Sequence, residues 1–342
     1  MRRTLLSIKD GLERLETIQV GGSSLYASLI QCCGAAKAIE EGRRVHRHLL
    51  RYGYGGNTFL GNLLIQMYRQ CGSMEEARST FDSMAKKDVV SWNAMVSGYS
   101  QAGQGREALD LYQRMDSEGV EPNRVTLLGV LGACGNSQLL AEGRSVHSRI
   151  RSSRRESDLS LEAALVTMYA RCGSLQEAEK VFDGISRKNN LVSWTAMIVG
   201  FAKHGHAEEA MEMYRRMELD GAEPDDVTFI TILVACSHSG LISSGHECFT
   251  SMAAEWEIAP RMDHFVCLVD LLGRAGWLDQ AQELVETMPF EPEPLAWTTL
   301  LGACKIHHDF DRARVLEELV LERTPQECGS SHVLLSNIYV ES

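Results

Sequence analysis

A histidine and a glutamate two positions apart, in His206-Ala207-Glu208, have the types that zinc-assisted hydrolysis uses. In a zinc deaminase the histidine of a His-x-Glu binds the metal, the glutamate shuttles protons, and a Pro-Cys-x-x-Cys completes the site. Ten cysteines are present here, yet no two are spaced Cys-x-x-Cys. His307-His308, and His46 with His48, lack an acidic or thiol partner at ligand spacing. No glycine-rich phosphate loop and no nucleophile motif occurs. His206 and Glu208 are therefore read as a solvated turn, and no enzyme activity, metal or cofactor is expected. The cysteines instead recur periodically, as Cys33, Cys134 and Cys236, and as Cys71 and Cys172. Small soft side chains at equivalent positions are core fillers.

The elements that carry these residues follow from a repeat. Shifted by 101 positions, "CGSMEEARSTFD" (71–82) lies on "CGSLQEAEKVFD" (172–183) with seven of twelve residues identical. "LIQCCGAAKAIEEGRRVH", ending at His46, lies in the same way on "VLGACGNSQLLAEGRSVH", ending at His147. Each period holds three units, 58–88, 89–123 and 124–158, then 159–190, 191–225 and 226–261. Flanking units span 23–57 and 262–293, residues 294–342 form a helical tail, and residues 1–22 are a targeting segment or the remnant of an earlier repeat.

Each unit reads as two helices. Trp92, Met95, Val96 and Tyr99 stand at helical spacing, and Gly103 breaks the run, as Gly72 does one unit earlier. Ser73 with Glu76, and Ser174 with Glu177, predict a capping box that opens the second helix. Ala108, Leu111, Tyr112 and Met115 give that helix its packing face; Gly119 ends it and "EPN" (121–123) turns the chain. A lone helical pair of this size cannot bury its apolar stripe, whereas stacked neighbours can. The fold class is all-α, a right-handed α-solenoid of tandem helix-turn-helix repeats. Trp92, Trp194 and Trp297 are packing positions in it rather than stacking platforms for bases.

Composition restricts function. The net charge of −12, from 34 basic against 46 acidic residues, argues against gripping nucleic acid by bulk electrostatics, which needs a positive surface. Acids such as Glu75, Glu76, Glu107, Glu208 and Glu209 are expected on second-helix faces, away from any basic groove. No run of about 18 apolar residues occurs, so no membrane span is expected.

Two long stretches, "VVSWNAMVSGYSQAGQGREALDLYQRMDSEGVEPN" and "LVSWTAMIVGFAKHGHAEEAMEMYRRMELDGAEPD", together with "ACSHSGL" (235–241) and "LVDLLGRAGWLDQAQELVETMPFEPE", resemble pentatricopeptide repeats of the plant P-L-S subclass. The tail, "WTTLLGACKIHHDFDRA" and then "SSHVLLSNIYVES", resembles a truncated E-type extension without the deaminase domain that ends some relatives. The resemblance implies single-stranded RNA as partner, not DNA, read one base per repeat. It further implies a chloroplast or mitochondrial location and transcript maturation, chiefly recognition for C-to-U editing. The deaminase would then act in trans through the C-terminal extension. A protein-binding scaffold of the tetratricopeptide kind is the alternative that the acidic charge favours.

The same resemblance assigns base reading to the fifth and last residue of each unit. Asn62 with Asp88 implies uridine, Asn93 with Asn123 a pyrimidine, and Thr195 with Asp225 guanosine. The remaining units carry weak or silent equivalents: Leu128 with Asp158, Ala163 with Asn190, Ile230, and Val266. With RNA running 5′ to 3′ along the repeats, the implied register is uridine, pyrimidine, two unspecified bases, guanosine.

Overall fold

The computed structural model describes residues 22–153, 158–185 and 191–323. Among them every regular element is helical. In chain order the α-helices are α1 (Ser23–Ala36), α2 (Ile39–Arg51), α3 (Thr58–Gln70), α4 (Met74–Ser83), α5 (Val89–Gln101), α6 (Gly105–Ser117), α7 (Arg124–Asn136), α8 (Leu140–Ser152) and α9 (Leu159–Arg171). They continue as α10 (Leu175–Gly184), α11 (Leu191–Lys203), α12 (Ala207–Leu219), α13 (Asp226–Ser239), α14 (Ile242–Ala254), α15 (Met262–Arg274), α16 (Leu278–Glu286), α17 (Pro294–Ile306) and α18 (Phe310–Arg323). The chain divides into two compact units, Met1–Ser174 and Leu175–Ser342. Among the described residues each holds nine of these α-helices, packed on their neighbours in the chain, and the fold class is an all-α solenoid.

The helix starts are written by caps. Asp88, Asn123 and Asp225 hold extended backbone, and each side chain accepts from the N–H three residues on, satisfying a donor that the first turn leaves unpaired. The turn after α5 closes through Gly103, whose φ of +71° is one that a side chain would oppose. Gln104 N–H then donates back to the Tyr99 carbonyl at 2.9 Å. The expected capping box at Ser73 does not form. Its hydroxyl donates to the Glu76 carboxylate at 2.9 Å instead of accepting from the helix backbone. The cause is Arg43, whose Nε draws Glu76 across to α2 at 2.7 Å. Glu76 is thus half-buried in an ion pair rather than a freely solvated acid, while Glu75, Glu107, Glu208 and Glu209 are exposed.

The apolar stripes meet at joints between successive pairs. Phe81 of α4 meets Trp92 of α5 edge-on, with ring centroids 4.8 Å apart; Phe182 of α10 meets Trp194 of α11 at 4.6 Å. Trp92 and Trp194 are fully buried, as are Met95, Val96, Ala108, Leu111 and Met115, and Trp297 is nearly so. Edge-to-face aromatic pairs add directional preference to the area they bury. Cys33, Cys134 and Cys236 are buried core fillers as expected. Cys71 and Cys172 are not; they stand half-buried just past α3 and α9, where the helix has ended and the core with it.

Second helices are also laced by arginine–carboxylate bridges one repeat apart. Arg114 reaches Asp82 at 2.7 Å, Arg149 reaches Asp116 at 2.6 Å, and Arg216 reaches Asp183 at 2.9 Å. These pairs are partly exposed, so each contributes at most about 1 kcal/mol. Their chief effect is to fix the register of one second helix on the next.

Candidate nucleic-acid interface

Three residues from two successive repeats converge at the start of α5. Asn62, the fifth residue of its unit, lies one turn into α3; Asp88 caps α5; Ser91 is the third residue of α5. Asn62 Nδ2 donates to Asp88 Oδ1 at 3.1 Å, and Ser91 N–H donates to that same oxygen at 2.9 Å. The Ser91 hydroxyl lies 2.6 Å from Asn62 Oδ1 and 2.9 Å from Asp88 Oδ1, donating toward both. It accepts in turn from Asp88 N–H at 3.3 Å. A carboxylate only accepts, so it must face the amide nitrogen, and this fixes which way the Asn62 amide is turned. Desolvation raises the Asp88 pKa, but hydrogen bonds from the Ser91 N–H, the Asn62 amide and the Ser91 hydroxyl outweigh it and hold the carboxyl below its ordinary value. Asp88 is therefore ionised at neutral pH, and all three of these bonds end on Oδ1.

The next repeat repeats the arrangement with one chemical change. Asn93 Nδ2 donates to Asn123 Oδ1 at 3.1 Å, and the Thr126 hydroxyl donates to Asn93 Oδ1 at 2.5 Å. Thr126 N–H also bonds Asn123 Oδ1 at 3.1 Å, so the amide oxygen of Asn123 points into the helix start. Its Nδ2 points away, as a donor where Asp88 keeps a second acceptor. In the third case Thr195 Oγ1 lies 3.4 Å from Thr228 Oγ1, which donates to Asp225 Oδ1 at 2.7 Å. Thr228 thus links a side chain too short to reach the cap by itself.

Asn62, Asn93 and Thr195 are half-buried, and the capping residues keep some exposure. The other fifth positions offer no polar atom. Leu128, Ile230 and Val266 are half-buried and Ala163 is buried. Asp158 caps α9 through Ser160 and Leu161 and pairs with Arg124 at 3.2 Å, so its carboxylate is engaged within the protein. Asn190 lies outside the described residues. His206 precedes α12, with Nδ1 3.2 Å from Glu209, and Glu208 is exposed. Among the described residues no group of three or more His, Cys, Asp or Glu side chains could hold a metal.

The hydroxyl at the third position of the following helix was not anticipated. Its signal was present in "VVSW", "RVTL" and "DVTF", each a Ser or Thr directly before an apolar run. Ser91, Thr126 and Thr228 are fully buried despite being polar. Burial of that kind requires a hydrogen bond, which the fifth and capping residues supply.

Profile comparison settles which repeat this is. The PPR repeat family matches residues 87–136 and 189–238, and the PPR repeat matches residues 62–89 and 164–190. The chain carries pentatricopeptide repeats. Similar proteins in Arabidopsis thaliana include a chloroplastic pentatricopeptide repeat-containing protein, 38% identical over 323 residues, covering 93% of this chain and 43% of that protein. A putative mitochondrial one is 41% identical over 314 residues, covering 92% of this chain and 50% of that protein. The chain spans about half the length of these curated relatives. Among solved structures, the pentatricopeptide repeat protein PPR10 from maize superposes with a TM-score of 0.72 over 94% of this chain and 51% of that one, at 16% identity. The same protein in complex with an 18-nt psaJ RNA element gives an equal score. At that identity the likeness concerns the fold: the hairpin stack is a pentatricopeptide array.

Proposed function

We propose that this chain is a sequence-specific single-stranded RNA-binding protein whose reading pairs are Asn62/Asp88, Asn93/Asn123 and Thr195/Asp225. The observation that carries this reading is the fixed geometry of the first two pairs, in which one face of each side chain is held by the protein and the other left unsatisfied. The maize relative's complex with RNA supports a nucleic-acid partner for such a fold.

The chemistry follows from the atoms left over. Asp88 retains an acceptor oxygen, which suits the N3–H of uracil, and Asn62 retains an amide hydrogen for a uracil carbonyl. Asn123 presents a donor instead, which suits the unprotonated N3 of cytosine, so the pyrimidine implied there is preferentially cytidine. Asp225 again offers an acceptor, for the N1–H of guanine. Thr195 is one bond shorter than asparagine and leaves room for a purine. Acceptor or donor on the capping residue separates keto from amino bases, and the length of the fifth residue separates purine from pyrimidine.

At the finer level, the repeats belong to the P-L-S subclass and lead into an E-type extension, and the chain serves transcript maturation in chloroplast or mitochondrion. Recognition for C-to-U editing is the role that fits best. The chain itself acts by binding. The relatives' chloroplastic and mitochondrial names support the location.

Filter binding with oligonucleotides carrying uridine, cytidine, two unspecified bases and guanosine in that order tests the reading. A single mismatch at a reading position is expected to weaken binding by about tenfold or more, the worth of one unpaired buried polar contact. Equal affinity for matched and mismatched oligonucleotides would remove these residues as readers.

A further inference from the structure

The tenth residue of the thirteen-residue second helix is arginine three times, as Arg114, Arg149 and Arg216. Each lays its guanidinium against an aromatic ring of the preceding repeat. The Cζ of Arg114 is 5.7 Å from the Phe81 centroid, that of Arg149 is 5.3 Å from Tyr112, and that of Arg216 is 5.9 Å from Phe182. Each also pairs with an acid of the preceding second helix, as described above. Ring below and carboxylate beside form one recurring guanidinium seat.

In α14 the tenth residue is Ser251. The seat nevertheless persists, because Tyr214 and Glu218 of α12 stand 102 positions after Tyr112 and Asp116. Ser251 Oγ lies 3.5 Å from the Tyr214 hydroxyl and stops there. Tyr214 and Glu218 line the same space, and burial and a hydrogen bond to Glu218 both push the Tyr214 phenol above its ordinary range. Where the guanidinium would lie there is a cavity of about 440 Å³, lined by Tyr214, Glu218, Glu247, Ser251 and Glu255. Two of these acids are additional, since Glu247 and Glu255 stand where the Arg149 copy has Ser145 and Ser153. Arg215 also lines the cavity, with its Nη1 3.9 Å from Glu212.

We infer that this cavity between α12 and α14 is a socket for an arginine side chain presented by a partner protein. Three carboxylates against one arginine give the lining a net negative charge, which attracts a cation and repels RNA phosphates. A planar cation that can lie on Tyr214 while bonding Glu218 in two places is a guanidinium, the group that three equivalent seats already hold. The socket lies on second helices, whereas the reading pairs lie on first helices and their caps, so the two sites are chemically opposite and separate.

The test uses the full chain with ¹³C-methyl methionine, following Met211, which also lines the cavity. Titrating acetyl-Gly-Arg-Gly-amide should shift the Met211 methyl signal saturably, with a dissociation constant in the millimolar range, about −4 kcal/mol in binding. The lysine tripeptide should bind at least several-fold more weakly. E218Q should weaken the arginine probe about tenfold, the loss of one charge-assisted bond. S251R should abolish the response, because the seat is then filled from within. An unsaturable response, equal binding of the lysine probe, or an unchanged response in S251R would each overturn the inference. Should S251R lose helical signal in circular dichroism, E218Q decides alone: an undiminished response there overturns it. A dimer of this chain that the arginine probe dissolves would assign the seat to a second copy and overturn the separate partner. RNA affinity is expected to be the same in E218Q and the parent, so the RNA reading and the socket stand or fall independently.

Discussion

The amide of Asn62 donates to the carboxylate of Asp88 across 3.1 Å although 26 residues separate them. Asp88 is at the same time the N-cap of the next repeat's first helix. A single carboxylate therefore ends one repeat, begins the next and holds the fifth side chain in place. The cap commits Oδ1, and under the proposed reading the other oxygen is the one that meets the base.

Thr195→Asn creates an asparagine–aspartate pair in a setting where Asp225 already caps α13. The base preference at that position should move from guanosine to uridine, with the ratio of the two affinities changing by about tenfold or more. Competition binding with oligonucleotides differing only at that base measures it. An unchanged ratio would show that Thr195 reads no base.

Ser91→Ala removes a fully buried hydroxyl that touches both Asn62 and Asp88. The Asn62 oxygen loses its donor, and the Asp88 carboxylate alone is left to hold the amide's orientation. Discrimination between uridine and cytidine should fall several-fold, while thermal stability drops by about 1 kcal/mol, the usual worth of one such bond. A loss of stability with discrimination intact would make the hydroxyl purely structural.

How far the site could be read from sequence is set by this double duty. Helix starts such as Val89, Arg124 and Leu191 were legible because each first helix follows a polar turn and carries apolar residues at helical spacing. Asp88, Asn123 and Asp225 were visible as polar repeat ends, but the same residue types would be chosen for capping alone. Composition cannot show which caps are also bonded by the preceding repeat; the bonds from Asn62 and Asn93 do. Ser91, Thr126 and Thr228 stayed hidden because a serine or threonine in a first turn is unremarkable until its burial is known. Ser73 misled for the opposite reason. Its spacing to Glu76 matches a capping box, and only the position of Arg43, thirty residues earlier, shows why the box is not made.

Trp194→Ala should lower the stability of the Leu175–Ser342 unit by about 3–5 kcal/mol, the range for emptying a buried large aromatic site. Trp194 is fully buried against Phe182 with centroids 4.6 Å apart. Urea titration followed by circular dichroism gives the value. A loss below about 1 kcal/mol would mean that the joint between the two hairpins closes around the gap.

His264 is fully buried at the third position of α15, where Nδ1 accepts from Arg261 N–H at 3.2 Å. Burial holds its pKa below the ordinary value despite the attraction of Asp226. Above about pH 6.5 the ring is neutral in both folded and unfolded chains, and its contribution to stability is complete. As pH falls, the unfolded chain takes the proton first, so stability is lost until the folded pKa is passed. His264→Thr, the residue found at the same position in α7 and α13, keeps an acceptor and removes the titration. Its melting temperature should fall less than the parent's between about pH 7.5 and about pH 5. Parallel curves would exclude His264 as the titrating group.

Among the described helices, first helices keep thirteen or fourteen residues throughout, whereas α4 and α10 have ten and α16 has nine against thirteen in the other second helices before α18. One turn is about 3.6 residues, so the short second helices have lost about a turn and nothing else. Deleting one residue within a first helix would rotate everything after it by about 100° and carry Asn62 or Asn93 away from its cap. Deleting a turn from a second helix leaves those pairs untouched. The length of a second helix can therefore change by a turn while the bond from one first helix to the cap of the next is kept, as ten-residue α4 and thirteen-residue α6 both allow.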